Sequence, residues 1–188
     1  MLQFDENLFY LVNSGCQNQF FDWLMPLLRN KYIWLPLYVF IASFLLINFK
    51  QKGLYLCLAF VLAAGIADGT SSHLIKKNVQ RLRPCKVLEP RKDMHLLVPC
   101  GSGFSFPSSH ATNHFAIATY LFLIFGKFFR WIKIPLVLWA SSIAFAQVYV
   151  GVHYPLDVII GALLGFLIGW GVYTLLTHLP FDLALTKP

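Results

Sequence analysis

The sequence has 188 residues, a length typical of one domain, and 57% of them are hydrophobic while only 12% are charged. With a mean hydropathy of +0.63, the chain is too apolar for a soluble protein of this size, and an all-α integral membrane protein is predicted. The formal net charge is +7, but the basic residues stand in short clusters between apolar segments. This pattern is typical of loops beside phospholipid headgroups and argues against a nucleic-acid partner.

Residues 1 to 30 mix apolar side chains at helical spacing with Asp, Glu, Asn and Gln. They predict one or two amphipathic helices in the membrane interface, with an architectural role. Five apolar stretches then predict five transmembrane helices, at residues 32 to 49, 53 to about 75, 107 to 125, about 132 to 151 and 155 to 177. We expect a single domain over residues 1 to 188, in which residues 76 to 105 form a long functional loop.

Five spans would place the amino-terminal segment, the 76 to 105 loop and the turn at 152 to 154 on the same face of the membrane. Polar residues in these three segments can therefore meet in one site. The glycines of the fifth span recur every four residues, at Gly161, Gly165 and Gly169, which favours close helix packing. At the end of the second span, we expect Asp68 and His73 to bond to neighbouring helices or water, with Asp68 also able to orient a cation.

The segment Phe106 to His110 predicts an anion-binding helix start. Pro107 suits the first helical position, so the backbone amides of Ser108, Ser109 and His110 would point outward. Phosphate is the natural ligand of such a site.

Two cations precede this segment. Lys76 and Arg83 are seven residues apart, so they would share one face of a helix that continues from the second span until Pro84 ends it. A guanidinium binds two phosphate oxygens and an ammonium adds a point charge. The alternative for this segment is a basic loop that binds lipid headgroups.

Two histidines and a carboxylate complete the candidate site. If Pro155 begins the fifth helix, Asp157 lies in its first turn and can fix the tautomer of His153, leaving the other ring nitrogen as a nucleophile. A helix cap with an interfacial histidine is the alternative. His110 can act as general acid, whereas His114 lacks the companions of a zinc site and is interpreted as a packing residue.

In combination, these motifs resemble the signatures of the type 2 phosphatidic acid phosphatase family, whose superfamily includes the vanadium haloperoxidases. The resemblance covers roughly residues 53 to 175 and rests on Lys76 with Arg83-Pro84, on Pro107-Ser108-Ser109-His110, and on Gly151-Val152-His153-Tyr154-Pro155-Leu156-Asp157. It implies a phosphatase without metal or other cofactor, in which His153 attacks phosphorus, Asp157 supports it and His110 protonates the leaving group. The phosphoryl oxygens would be held by Lys76, Arg83, Ser108 and Ser109.

The sequence departs from the family pattern at two places. Ser109 replaces a usual glycine but keeps the backbone amide. Ala146 and Gln147 replace a usual Ser-Arg pair, so Gln147 would offer hydrogen bonds without charge. Losing the charged contact of the usual arginine would cost about 2 to 4 kcal/mol of transition-state stabilisation unless another cation compensates. The expected replacements are Arg81, Lys77 or Arg91.

The resemblance leaves several lipid substrates open. Undecaprenyl diphosphate is favoured, with phosphatidylglycerol phosphate, phosphatidic acid and lipid A as alternatives. A phospholipid-binding or transport protein without catalysis is the competing hypothesis, and a vanadium haloperoxidase is disfavoured because those proteins are soluble and larger. No obligate protein partner is inferred.

The expected location is the bacterial inner membrane. Counting Lys and Arg would place the site in the cytoplasm, whereas the resemblance implies a periplasmic site. Cys85 and Cys100 bracket the 76 to 105 loop; two free thiols are as compatible with the sequence as a pair, and an oxidising compartment would permit the disulfide.

Overall fold

The computed structural model describes residues 3 to 87, 94 to 126 and 128 to 178, and these residues form helices and no strand. The helices are α1 (Gln3–Asn13), α2 (Gln19–Leu28), α3 (Leu35–Asp68), α4 (Lys76–Val79), α5 (Pro84–Val87), α6 (Ser109–Phe125), α7 (Lys133–Tyr149) and α8 (Pro155–His178). Short 3-10 turns at Lys31–Trp34 and Arg130–Ile132 precede α3 and α7, and a π-helical segment at Gly69–Ile75 joins α3 to α4.

Helix α3 is a hairpin of two arms. Lys50 has φ 48° and ψ −119°, which is not helical, and a Cβ at Gly53 would overlap the carbonyl of Leu45. Only glycine lets the returning arm pass so close. The Cys57 thiol donates to the Ala42 carbonyl across the two arms, at 3.7 Å. The arms correspond to the first two predicted spans.

Three stretches of the described residues are long and apolar enough to cross a membrane: Lys31–Val87, which contains both arms of α3, Arg130–Tyr149 and Pro155–His178. Helix α6 has 17 residues, most of them buried, and packs against α3, α7 and α8. The outer faces carry exposed apolar side chains such as Leu58, Val61, Leu138 and Phe166, as expected where lipid is the neighbour. The chain is therefore a multi-pass helical bundle arranged around α6.

Three glycines bring α6 and α8 into contact. A Cβ at Gly161 would lie 2.7 Å from the Ser108 carbonyl, and a Cβ at Gly165 or Gly169 would likewise overlap a backbone carbonyl of α6. The predicted close packing is confirmed. Its consequence is that the amino-terminal ends of α6 and α8 lie side by side.

The prediction that one helix continues from the second span to Arg83 is wrong. Gln80 adopts the left-handed conformation, with φ 52°, and ends the helix after Val79. Arg83 therefore lies beyond a break in the chain, and Pro84 begins α5 instead of ending the preceding helix.

The amino-terminal segment forms two helices. Helix α1 contacts α7 and α8 and buries Asp5, Phe9 and Asn13, which recur every four residues, while Phe4 and Leu11 on its other side are exposed. Helix α1 therefore packs against the bundle through a buried face that includes a carboxylate.

Candidate active site

A polar cavity of ≈ 300 Å³ opens at the end of the bundle where α6 begins. It is lined by Arg29, Lys31, Asp68, Ser72, Lys76, Arg83, Ser109, His110, Asn113, Gln147 and His153. Residues from all three sequence motifs therefore meet in one place, as predicted. The end of α2 is an additional contributor.

His153 lies in the turn between α7 and α8. Gly151 has φ +88°, a conformation that glycine adopts without strain, and the amide of His153 then donates to the Gln147 carbonyl at 3.2 Å. The imidazole is buried. Its Nδ1 lies 3.5 Å from Asp157 Oδ2, and its Nε2 lies 3.5 Å from Arg83 Nη1. A carboxylate thus stands behind the ring and a guanidinium in front of it.

The protonation state of His153 follows from this environment. Burial lowers the pKa of His153 to about 4, and the nearby Arg83 charge acts in the same direction, while Asp157 opposes them. The imidazole is therefore neutral at pH 7. A neutral ring beside a carboxylate keeps its proton on Nδ1 and presents the Nε2 lone pair to the cavity.

Asp157 is held by several donors. Pro155 begins α8, as predicted, and Asp157 Oδ2 accepts from the Tyr154 amide at 2.9 Å. Its Oδ1 accepts from Arg81 at 2.7 Å, and the same guanidinium pairs with Asp5 of α1 at 2.5 Å. Both carboxylates are fully buried. Buried charges require partners of this kind, so Arg81 links helix α1 to the carboxylate behind His153.

Arg83 is oriented by backbone carbonyls. Its Nε donates to Gly103 at 3.1 Å and its Nη1 to Val152 at 3.4 Å. The guanidinium face next to His153 consequently has a fixed position. Lys76, the first residue of α4, reaches the same cavity. The two predicted phosphate ligands therefore converge despite the break between them.

The start of α6 differs from the prediction at Pro107 and Ser108. The helix begins at Ser109, and Ser108 is its N-cap, with a side chain that accepts from the Ala111 amide. The Ser108 amide donates to the Asp157 carbonyl at 2.9 Å. The prediction that the Ser108 amide points out of the helix start is therefore wrong, and Ser108 is not among the residues that line the cavity. The first two amides of the helix, those of Ser109 and His110, precede the first intrahelical acceptor and are the ones available to a ligand.

A polar network covers one wall of the cavity. Asp68 accepts from Ser72 and from Asn113, each at 3.3 Å, and Ser72 shares a hydrogen bond of 2.9 Å with Ser109. Asp68 is also close enough to Lys76 for their charges to interact. The prediction that Asp68 bonds to a neighbouring helix is confirmed by the bond from Asn113 of α6, and its role in orienting a cation stays a prediction. His73 is exposed, which is compatible with the expected bonding to water.

The two histidines of α6 have different surroundings. His110 lines the cavity. His114 bonds through Nδ1 to the His110 carbonyl at 2.8 Å and through Nε2 to the Tyr38 hydroxyl at 3.1 Å, and it packs against Trp139. The interpretation of His114 as a packing residue is confirmed.

Gln147 lines the cavity and is fully buried, and neither atom of its amide group has a hydrogen-bond partner among the described residues. Of its three expected replacements, Arg81 is committed to two carboxylates. Lys77 is exposed and does not line the cavity, and Arg91 lies outside the described residues.

Sequence reasoning missed Arg29, Lys31 and Asp5. The first two are cavity residues, and Asp5 belongs to the Arg81 network. Their only sequence signal is their position in a segment expected to lie at the membrane surface. That signal does not distinguish a site residue from a headgroup contact.

Two further features bear on the chemistry. Among the residues that the structure describes, no group of three or more His, Cys, Asp or Glu side chains is arranged to hold a metal ion. Cys85 and Cys100 form a disulfide, which resolves the choice left open by the sequence. The disulfide joins the start of α5, next to Arg83, to the segment before α6.

Comparison with known proteins gives the family. The model of the PAP2 superfamily matches residues 52 to 180. The chain belongs to the PAP2 superfamily. It is 37% identical over 166 residues to a lipid A 4'-phosphatase of Bacteroides thetaiotaomicron, covering 87% of this chain and 73% of the relative. It is 33% identical over 168 residues to an undecaprenyl-diphosphatase of Sulfolobus acidocaldarius, covering 86% and 73%.

The fold of this PAP2 protein is also that of a solved structure. A transmembrane PAP2-type phosphatidylglycerolphosphate phosphatase from Bacillus subtilis superimposes with a TM-score of 0.73 at 23% identity, covering 95% of this chain and 87% of the other. This similarity confirms the membrane-phosphatase fold. The family match and the two relatives assign the chain to the PAP2-type membrane lipid phosphatases.

Proposed function

We propose that this PAP2 protein hydrolyses a lipid phosphate through a phosphohistidine on His153. The observation that carries the proposal is the position of the buried, neutral imidazole between the Asp157 carboxylate and the Arg83 guanidinium. A phosphoryl group drawn to Arg83 would lie next to the Nε2 lone pair. Holding the two reacting atoms close together in this way lowers the entropic part of the activation barrier.

The reaction has two steps, formation of the phosphohistidine and its hydrolysis. In the first, Nε2 of His153 forms a bond to phosphorus, the bond from phosphorus to the lipid oxygen breaks, and His110 gives a proton to that oxygen. In the second, water attacks phosphorus and gives its proton to His110, the N–P bond breaks, and neutral His153 is regenerated. Asp157 stabilises the positive charge that the ring carries between the two steps.

The phosphoryl oxygens need cations and amide donors. Arg83 and Lys76 supply the charge, the Ser109 amide at the start of α6 supplies a fixed dipole, and Gln147 supplies hydrogen bonds. Ser108 acts indirectly, because it caps α6 and binds the backbone of Asp157.

We further propose a topology of five spans in the bacterial inner membrane, with α1 and α2 in the interface and the cavity facing the periplasm. The two arms of α3 with α6, α7 and α8 supply the five spans. Support for the periplasmic side comes from the Cys85–Cys100 disulfide, because disulfides persist in oxidising compartments. If a reagent labels residues 76 to 105 only when it has access to the cytoplasm, the periplasmic placement is contradicted.

Two substrate classes are proposed. The 37% identity to a lipid A 4'-phosphatase favours a phosphate monoester on a lipid of that kind. The 33% identity to an undecaprenyl-diphosphatase favours the diphosphate expected from the sequence. Either is an amphiphile whose head reaches a cavity at headgroup level while its chains stay in the bilayer.

The test is phosphate release by the detergent-purified protein from lipid A, undecaprenyl diphosphate, phosphatidylglycerol phosphate and phosphatidic acid, with chelator present. We expect release by wild type and by His178→Ala, an exposed histidine at the far end of α8, and none by His153→Ala. Persistent release by His153→Ala would refute the mechanism. Binding of a lipid without turnover by wild type would replace it with the binding-protein hypothesis.

A further inference from the structure

Several buried polar atoms in the cavity have no partner. Arg29 Nε, Asn113 Oδ1 and both amide atoms of Gln147 are buried without a hydrogen bond among the described residues, and all three side chains line the cavity. Buried polar groups in folded proteins are nearly always paired. Arg29 Nε and Gln147 Nε2 are donors, so a ligand that offers hydrogen-bond acceptors would pair with both, whereas Asn113 Oδ1 and Gln147 Oε1 are acceptors and would pair with a donor.

The charge of the lining specifies that ligand. Four cations face the cavity with one carboxylate, Asp68; the cations are Arg29, Lys31, Lys76 and Arg83. Burial lowers the pKa of Arg29, and the nearby Arg83 charge lowers it further. Two guanidinium groups that repel each other across a shared cavity are stabilised when an anion lies between them. A phosphoryl group, with two or more negative charges, satisfies this requirement.

The position of Arg29 relates it to the reaction. It lines the same cavity as Arg83, which lies on the His153 side, and His110, which lies on the leaving-group side. The residue is the C-cap of α2, and its amide donates to Leu27 and Met25 carbonyls, so the helix end fixes where the side chain starts. Gln147 enters the same cavity from α7 without a charge.

We propose that Arg29, at the end of the interfacial helix α2, binds the phosphoryl group under transfer and supplies the charge that the neutral Gln147 does not. The inference rests on the proposed phosphatase function, and it identifies Arg29 as a substrate-binding residue. The third cation of the phosphate site comes from the membrane surface instead of from α7. The ligand chemistry is a phosphoryl group, either a monoester or the terminal group of a diphosphate.

The experiment compares Arg29→Ala, Arg29→Lys and the double variant Arg29→Ala with Gln147→Arg in the full-length protein. Loss of one transition-state ligand is expected to lower kcat by about 100- to 1000-fold. Arg29→Lys keeps charge but loses the bidentate geometry and should fall between Arg29→Ala and wild type. The double variant should regain at least about tenfold over Arg29→Ala, because the charge returns from the α7 side.

Orthovanadate, which adopts the five-coordinate geometry of the transferring phosphorus, is the binding probe. Its inhibition constant should rise with Arg29→Ala in parallel with the loss of kcat. Arg130→Ala, an exposed arginine before α7, is the matched control and should change neither quantity. Monoester and diphosphate substrates are assayed in parallel, and the comparison shows which substrate loses more turnover when Arg29 is replaced.

Two results would overturn the inference. One is activity and vanadate inhibition of Arg29→Ala within threefold of wild type while His153→Ala is inactive, which leaves the proposed function standing. The other is a lower unfolding temperature of Arg29→Ala with no recovery in the double variant, which assigns Arg29 to the fold. Activity in His153→Ala is a separate outcome and contradicts the proposed function itself.

Discussion

The link between α1 and the site is tested by Asp5→Asn. Asp5 is fully buried, its Oδ1 accepts from the Leu156 amide at 2.9 Å, and its Oδ2 pairs with Arg81. Asparagine preserves the side-chain shape and an acceptor for the amide. The charge of Arg81 is then balanced by Asp157 alone, so the variant isolates the ionic contribution of Asp5.

The expected magnitude follows from the geometry. Unit charges about 4 Å apart attract by about 4 kcal/mol at the effective dielectric constant of a protein surface, and desolvation of Asp5 offsets part of this gain. Arg81 is only 18% exposed, so solvent screens little of it. We expect a loss of about 2 kcal/mol in the free energy of unfolding, or about 5 °C in the midpoint of thermal unfolding.

The effect on catalysis is expected in kcat and not in KM. Asp5 does not line the cavity but helps to hold Arg81, which in turn orients Asp157 behind His153. A displaced carboxylate weakens support for the charged imidazole, and a tenfold loss in kcat corresponds to about 1.4 kcal/mol. Phosphate release and thermal unfolding, measured on the same preparation, test both expectations.

A double-mutant cycle with Arg81→Gln separates this interpretation from a general fold defect. If Asp5 acts through Arg81, the double variant should be no worse than Arg81→Gln alone. Strictly additive losses, or an Asp5→Asn protein with unchanged kcat and unfolding temperature, would refute the reasoning.

Three further predictions concern packing, pH and the disulfide. Gly165→Ala should destabilise the protein because the added Cβ would overlap a carbonyl of α6. The control Gly171→Ala has open space around its Cβ and should be neutral or gain up to about 1 kcal/mol from helix propensity. Equal thermal unfolding midpoints for the two variants would contradict this prediction. The pKa of His153 is about 4 when folded and about 6.5 when unfolded, so the unfolded chain binds more protons between these values. Stability therefore falls as pH drops from about 6.5 to about 4, and the loss of kcat/KM caused by protonation of His153 should appear near pH 4; loss of the nucleophile already at pH 6 would argue against its burial. Reduction of Cys85–Cys100, which closes a loop of 15 residues, should cost about 3 kcal/mol, and the variant with both cysteines changed to serine should not respond to reductant in thermal unfolding.

Much of the site could be predicted from local sequence. His153 and Asp157 lie four residues apart across a helix-starting proline, so their proximity depends on one turn of chain. The glycine repeat of α8 likewise predicts close packing because a helix places every fourth residue on nearly the same face. Long apolar runs predict membrane spans from the cost of burying unpaired backbone in lipid.

Long-range contacts were beyond the reach of such reasoning. Arg81 was predicted as a possible phosphate ligand, yet it pairs with Asp5, 76 residues away along the chain. Ser108 was predicted to bind phosphate, yet its amide bonds to the Asp157 carbonyl. Each outcome depends on which carboxylate or carbonyl another helix brings within 3 Å, and no local pattern encodes that distance.

The sequence by itself determined that this is a membrane protein with a histidine, a carboxylate and two cations in the order of the PAP2 motifs. Only the tertiary structure decided that Arg29 at the end of α2 lines the cavity and that Asp5 of α1 pairs with Arg81. The physical reason is that charges at a membrane surface have the same sequence signature whether they contact headgroups or substrate. Packing α1 and α2 onto α7 decides which of these charges line the cavity or pair with Arg81.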